Sequence, residues 1–283
     1  MEVKVGKLAG FCFGVKNAVE QTEKQLQQEK EVYCLGELTH NRQVMEQLAR
    51  KGLHVIENIE EAPEKATVII RAHGVPPVIY EKAKKRNITL VDLTCVKVLK
   101  IHQMASDLVN QQYYIFLTGH KQHPEVIGIA GCCKEAVSVI EKKEDIGQAI
   151  QDWKVSGKEK IALISQTTFH HKKWEEIVQK VQNLLPTIEI KVLDTICPAT
   201  SRRQAETEEM AKQMDQMIII GGKNSSNTEK LYTIAKENCS QTIWIETKED
   251  LKDFQRKGKI GIMAGASTPV TSIEEVVKWI EGN

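Results

Sequence analysis

The sequence predicts an α/β protein in which one strand–loop–helix unit is used three times. Three observations predict it. Apolar strand-like runs alternate with helical patterns along the whole chain, which argues parallel sheets covered by helices. A cysteine is followed 28 residues later by a polar loop residue in three places: Cys12 and His40, Cys95 and His123, Cys197 and Ser225. Each of those polar residues stands four positions after a glycine: Gly36, Gly119 or Gly221. One such match means little; three with equal offsets and like surroundings mark an internal repeat.

The elements follow in order. KLAGFCFGVKNAVEQ, LVDLTCVKVLKIHQ and VLDTICPATSRRQ each carry a strand-like run or turn into a cysteine and then a helix. Apolar spacing predicts helical faces at Val15, Val19, Thr22 and Leu26 after Cys12, and at Val98, Ile101, Ala105 and Leu108 after Cys95. VYCLGELTHNRQV, YIFLTGHKQHPEV and MIIIGGKNSSNTE are each an apolar strand, a glycine loop and a helix start. In the second, YYIFLT reads as a buried strand and Pro124 as the opening of a helix, with His123 and Glu125 on either side of it. Third loops in VIIRAHGVPP, IALISQTTFH and IGIMAGASTPV carry His73, Thr167 and Ser267. The expected lobes are 1–95 with Cys12, His40 and His73; 96–193 with His123, Glu125 and Thr167 and Cys95 at its entry; and 194–283 with Cys197, Ser225, Ser267 and a C-terminal helix. Their cysteines are expected to converge on a shared centre. His170 and His171 read as a solvated helix start.

Composition excludes several partners. The 283 residues carry 39 basic and 38 acidic side chains without long like-charge runs, so no footprint for nucleic acid or anionic lipid is present. MEVKVGKLAG is too poor in apolar residues for a signal peptide, and no apolar run is long enough to span a bilayer. A cytoplasmic protein is expected. Seven cysteines, an odd number without CxxC, argue against a disulfide framework. Cys34, Cys132, Cys133 and Cys239 read as small buried hydrophobes. Cys12, Cys95 and Cys197 differ, because a helix N-terminus favours the thiolate and makes each a candidate ligand or nucleophile.

Three thiolates about one centre suit either a structural zinc with a fourth ligand or a 4Fe–4S cluster with one open iron. His40, His73, His123, Thr167, Ser225, Ser226, Asn227 and Ser267 supply more donors and acceptors than a closed metal site uses. Together with loop N–H groups at helix starts they suit an oxyanion such as phosphate. GxxxxGK[ST] is absent, which argues against a nucleotide P-loop. A lone loop histidine is usually a surface hydrogen-bonder; it is the repeat that gathers these into a set.

GFCFGVKNAV, GELTHNRQV, RAHGV, DLTC, GHKQHPEVIG, SQTT, DTICPATSRRQ, GGKNSSNTEKL and AGASTP together resemble the 4-hydroxy-3-methylbut-2-enyl diphosphate reductases of the non-mevalonate isoprenoid route, over nearly the whole chain. The resemblance implies a trefoil of three pseudo-threefold α/β lobes, each with a mainly parallel sheet, around a central iron–sulfur cluster. It implies one 4Fe–4S cluster per chain on Cys12, Cys95 and Cys197, the substrate hydroxyl meeting the fourth iron. Diphosphate binding is implied for His40, His73, His123, Ser225, Ser226, Asn227 and Ser267. Glu125 matches the proton donor, with Thr167 beside it. The implied reaction is reductive dehydroxylation to isopentenyl and dimethylallyl diphosphates, with electrons from a ferredoxin or flavodoxin. Two positions depart from the family pattern: Val96 stands where proline is usual, and Asn17 where a basic residue is common. A non-catalytic iron–sulfur carrier and a zinc hydrolase are the rival readings. The first has no use for Glu125, and the second fits three cysteines poorly.

Overall fold

The computed structural model describes residues 2–282. The first third of the chain runs β1 (Glu2–Val5), α1 (Phe13–Gln28), β2 (Val32–Leu35), α2 (Arg42–Arg50), β3 (Leu53–Ile56), β4 (Thr67–Ile70), α3 (Pro77–Lys85) and β5 (Thr89–Asp92). The middle runs α4 (Val96–Asn110), β6 (Tyr113–Thr118), α5 (Pro124–Gly131), β7 (Val137–Ile140), α6 (Ile146–Val155), β8 (Lys160–Ser165), α7 (His171–Leu184) and β9 (Ile190–Val192). The remainder is α8 (Pro198–Ala211), β10 (Gln216–Ile220), α9 (Ser226–Asn238), β11 (Thr242–Ile245), β12 (Lys259–Ala264) and α10 (Val270–Glu281).

The strands form three four-stranded sheets, ordered β3-β2-β4-β5, β7-β6-β8-β9 and β11-β10-β12-β1. Each registered pair is parallel. The central strands read as continuous apolar runs, such as TVII, YYIFLT and QMIII, because helices cover both faces and no polar side is needed. The sheets repeat in detail. A single 3₁₀ turn follows β3, β7 and β11, at Ile59–Glu61, Lys143–Asp145 and Lys248–Leu251. The N–H of each loop glycine reaches the last carbonyl of the neighbouring strand: Gly36 to Ile56 at 2.7 Å, Gly119 to Ile140 at 3.1 Å and Gly221 to Ile245 at 2.9 Å.

The repeat is cyclically shifted from the expected lobes. The first was expected to start at residue 1, but β1 pairs with β12 and completes the last sheet. The reason lies in the unit itself. The fourth strand of every sheet leads into a cysteine: β5 into Cys95, β9 into Cys197 and β1 into Cys12. A four-residue strand has too little surface to stand alone, and the edge of β12 is where it finds its ladder.

Two compact units result. One gathers the chain up to Lys30, Glu37–Leu53 and everything from Pro198 onward, and holds the sheet β11-β10-β12-β1. Apolar side chains pack on both faces of that sheet, Ile218, Ile262 and Val276 on one and Met217, Ile219 and Leu231 on the other. The second unit, Glu31–Gly36 and His54–Cys197, holds the other two sheets. One core there is built on Phe116, Ile129, Leu163 and Val181, and another on Ile59, Val68 and Ile70.

Helix α4 buries Val98, Ile101, Ala105 and Leu108 as its spacing predicts. Helix α1 follows its prediction only at Thr22: it buries Gly14 and Ala18 beside it, while Val15, Val19 and Leu26 lie at the edge of the contact. Small residues face inward there and let the helix approach closely. Among the described residues no helix is long and apolar enough to cross a membrane.

Candidate functional site

In the first unit the local backbone brings six of the predicted residues together. Cys12 caps α1, and its N–H reaches the carbonyl of Ala266 at 3.1 Å, one residue before the buried Ser267. The Ser267 hydroxyl lies 3.3 Å from the His40 carbonyl oxygen and donates to it. The same carbonyl packs so closely on Gly222 that a Cβ there would sit 2.2 Å from it. Ser225 caps α9, its Oγ accepting the Thr228 N–H at 3.3 Å, which leaves the hydroxyl proton for a ligand. Gly221, at φ +151°, and Gly265 make room for the Thr228 side chain, which a Cβ would meet at 2.5 and 2.1 Å. That fit holds Asn227 in place. Its side chain is buried, yet neither the amide nitrogen nor the oxygen has a partner among the described residues. A buried amide left unpaired is costly, so it marks a site completed by something else. Ser226 opens α9 at the edge of this group.

The second unit gathers the other six. Cys95 caps α4, and its N–H reaches the Ala72 carbonyl at 3.0 Å, one residue before His73. The His73 ring meets His123 edge to face, with centroids 5.2 Å apart. His123 caps α5, its Nδ1 accepting the Glu125 N–H at 3.1 Å. An accepting Nδ1 places the proton of the neutral ring on Nε2, which is then a donor. Glu125 is 2 % exposed. Its carboxylate accepts from the Thr167 N–H at 2.6 Å and from the Thr167 hydroxyl at 2.7 Å. Burial pushes this carboxyl up to about 7, and the two bonds from Thr167 pull it back only in part. The Thr167 carbonyl in turn accepts the Cys197 N–H at 3.0 Å.

All three cysteines therefore rest on the same contact, a third-loop carbonyl: Ala266, Ala72 and Thr167. The remaining four differ. The Cys132, Cys133 and Cys239 thiols donate to backbone carbonyls, and Cys34 is sealed in a strand, where burial pushes its thiol to about 12. The thiols of Cys12 and Cys197 make no hydrogen bond among the described residues and are partly accessible, which suits a thiolate ligand.

Residues 3–281 match the family described as LytB protein. The chain belongs to the LytB family. Curated relatives include the 4-hydroxy-3-methylbut-2-enyl diphosphate reductases of Clostridioides difficile, 40% identical with 99% of each chain covered, and of Aquifex aeolicus, 40% identical over 99% of this chain and 96% of the relative. A solved structure of (E)-4-hydroxy-3-methyl-but-2-enyl diphosphate reductase shares 40% identity over both full chains, with a TM-score of 0.71. The E-1-hydroxy-2-methyl-but-2-enyl-4-diphosphate reductase from Plasmodium falciparum shares 30% over 99% of this chain and 87% of its own, with a TM-score of 0.87.

Within this LytB chain the repeat also exposes residues that spacing alone missed. Counted from the ends of β4, β8 and β12, the equivalents of His73 and Ser267 are not Thr167 but Thr168, whose Oγ1 accepts from Gln166 at 2.8 Å. Strand ends, rather than loop chemistry, are the signal that finds it. Helix caps likewise align Asn41, not His40, with His123 and Ser225. The expectation for His170 is corrected: it caps α7 but is buried, while His171 is half exposed between Glu175 and Asp194. Val96 opens α4 in the place where the family pattern has proline, and the helix starts there regardless.

Proposed function

We propose that this chain is a 4-hydroxy-3-methylbut-2-enyl diphosphate reductase, acting in the cytoplasm on a 4Fe–4S cluster held by Cys12, Cys95 and Cys197. The reaction replaces the allylic C–OH by C–H, consuming two electrons and two protons and releasing water, to give isopentenyl and dimethylallyl diphosphates. A ferredoxin or flavodoxin supplies the electrons. When bound, such a cluster contributes electrons and a Lewis-acidic iron with an open position.

The protein's own part is to bind the diphosphate and deliver the proton. Helix starts at α5 and α9 offer N–H groups and a positive dipole end to an anion. His123 donates through Nε2, and Ser225 through the proton that its cap bond leaves over. The unpaired Asn227 amide gains the partner it lacks. His40, His73, Ser226 and Ser267 complete the polar set.

The observation that carries the reading is the Glu125–Thr167 pair. A carboxyl held up to about 7 is substantially protonated near neutral pH. Protonated, Glu125 donates to the Thr167 oxygen 2.7 Å away, and the Thr167 hydroxyl is then free to point onward to a departing hydroxide. Hydroxide leaves poorly, so protonation during C–O cleavage lowers the barrier. Glu125→Gln keeps the shape but cannot give the proton. It should retain iron and substrate binding while turnover falls by about 10²–10⁴-fold, as for loss of a general acid. Wild-type turnover in that variant, under the same electron supply, removes Glu125 from the role.

A further inference from the structure

The three helices that begin at the cysteines present different surfaces. α1 carries the exposed Phe13, but its first cation, Lys16, lies 3.8 Å from Glu20. α8 carries Arg202 and then three acids, Glu206, Glu208 and Glu209. α4 is unlike both. Its outward face opens with Val96, 55 % exposed, and Leu99, 41 % exposed, alternating with the exposed Lys97 and Lys100. Neither lysine enters an ion pair among the described residues. No acidic residue occurs from Leu93 to Ser106. At 100° per residue Val96, Leu99, Lys100 and Gln103 share one stripe, opposite the buried Val98, Ile101 and Ala105.

We infer that this stripe docks the electron donor, a small acidic one-electron carrier protein; the inference rests on the function proposed above. Unpaired lysines around exposed apolar side chains are complementary to a carrier whose redox group is rimmed by carboxylates: apolar contact at the centre, opposite charge at the rim. A solvated helix needs neither Val96 nor Leu99 outward. The place also fits the task. Leu99 and Lys100 stand one helical turn, about 6–8 Å along the axis, from Cys95, so a docked carrier is close to a cluster ligand. Each encounter oxidises the carrier by one electron. Two encounters supply the two electrons that, with two protons, turn the C–OH into C–H and water.

The test uses the cluster-loaded protein, a purified acidic flavodoxin, and the variants K97E/K100E and Leu99→Ser. Flavodoxin binding is measured by titration at low and moderate salt. Turnover is measured with flavodoxin and, separately, with dithionite-reduced methyl viologen, which needs no docking surface. K97E/K100E should weaken binding tenfold or more and abolish its salt dependence, and Leu99→Ser should weaken it severalfold. Viologen-driven turnover should stay within twofold of wild type. Unchanged flavodoxin affinity in both variants overturns the inference, as does an equal loss of viologen-driven turnover. Should the wild-type protein bind flavodoxin through this stripe yet reduce no allylic diphosphate with viologen, the proposed function fails and the docking surface stands.

Discussion

Two of the three cysteine approaches are written in four residues, and the third is written far away. Before Cys95, the Asp92 carboxylate accepts the Thr94 N–H at 2.9 Å and its hydroxyl at 2.5 Å, with Tyr80 donating to the other oxygen at 2.7 Å. Before Cys197, Asp194 accepts the Ile196 N–H at 3.0 Å in the same turn. Both are Asx turns, in which a short side chain supplies the acceptor that the backbone lacks. Ala9 stands at the matching place before Cys12 and can do neither. That loop is held from α8 instead. The buried Arg203 donates to the carbonyls of Leu8 and Gly10 at 2.7 and 2.8 Å, and Glu206 accepts from the N–H groups of Lys7 and Leu8 at 2.7 and 2.9 Å. One position can thus be built by local turn chemistry or by a distant charged side chain, and the two should fail differently.

The largest expected effect falls on the distant design. Arg203→Ala strands two carbonyls in a buried setting and should cost about 3 kcal/mol in urea unfolding, since bonds from a charged donor are worth roughly 1.5–3 kcal/mol each. In the iron-free protein Cys12 should then alkylate faster while Cys95 keeps its rate. A loss below about 1 kcal/mol, on the scale of one ordinary hydrogen bond, shows that Glu206 alone suffices.

A titration separates the Cys197 side next, because only there does the supporting carbonyl belong to a residue bonded to an ionisable group. The folded-state pKa of Glu125, about 7, lies above the ordinary carboxyl value of 4.5, so the folded state binds this proton more tightly. The stabilisation is therefore full below about pH 4.5 and is lost as pH rises through about 7, up to about 3 kcal/mol. Glu125→Gln should flatten stability across that window. Parallel pH curves for the two proteins would refute the raised pKa.

Smaller effects belong to the local turns. Asp194→Ala and Asp92→Ala should each cost about 1 kcal/mol, while the Asn variants, which keep an acceptor oxygen, should recover most of it. Guanidinium or urea midpoints for the four proteins decide this. Smallest of all is Val96→Pro. Cys95 already has φ −58° and ψ 134°, the conformation that a following proline requires, and the first helical N–H has no partner to lose. A gain of about 0.5 kcal/mol is expected, from a stiffer unfolded chain. A loss would mean that the Val96 side chain packs more than its exposure indicates.

Legibility in the sequence followed the range of the interaction. The cysteine-to-loop spacing, the glycines, YYIFLT and the Pro124 helix start were readable, because turn and cap chemistry acts within a few residues. The pairing of β1 was not, since nothing in EVKV names a partner at Lys259–Ile262. The Arg203 support was hidden for the same reason: a solvent-facing arginine and a buried one look alike in TSRRQ. Thr168 is hidden because SQTT offers two adjacent threonines, and only the end of β8 at Ser165 shows which of them matches His73 and Ser267. The inward face of α1 is only partly legible, at Thr22, because Gly14 and Ala18 pack closely without a strong apolar signature.

The pairing of β1 with β12 also sets an order of events in the cell. The strand that leads to Cys12 leaves the ribosome long before its ladder on β12, the Ala266 carbonyl and Arg203 are made. Until then Cys12 has no frame, whereas the turns of Cys95 and Cys197 can close as soon as their own sheets emerge. The set of three thiols is therefore a property of the finished chain. On the proposed reading, loading of the cluster is a post-translational step, and a truncated product lacking the last sheet can offer at most two formed positions.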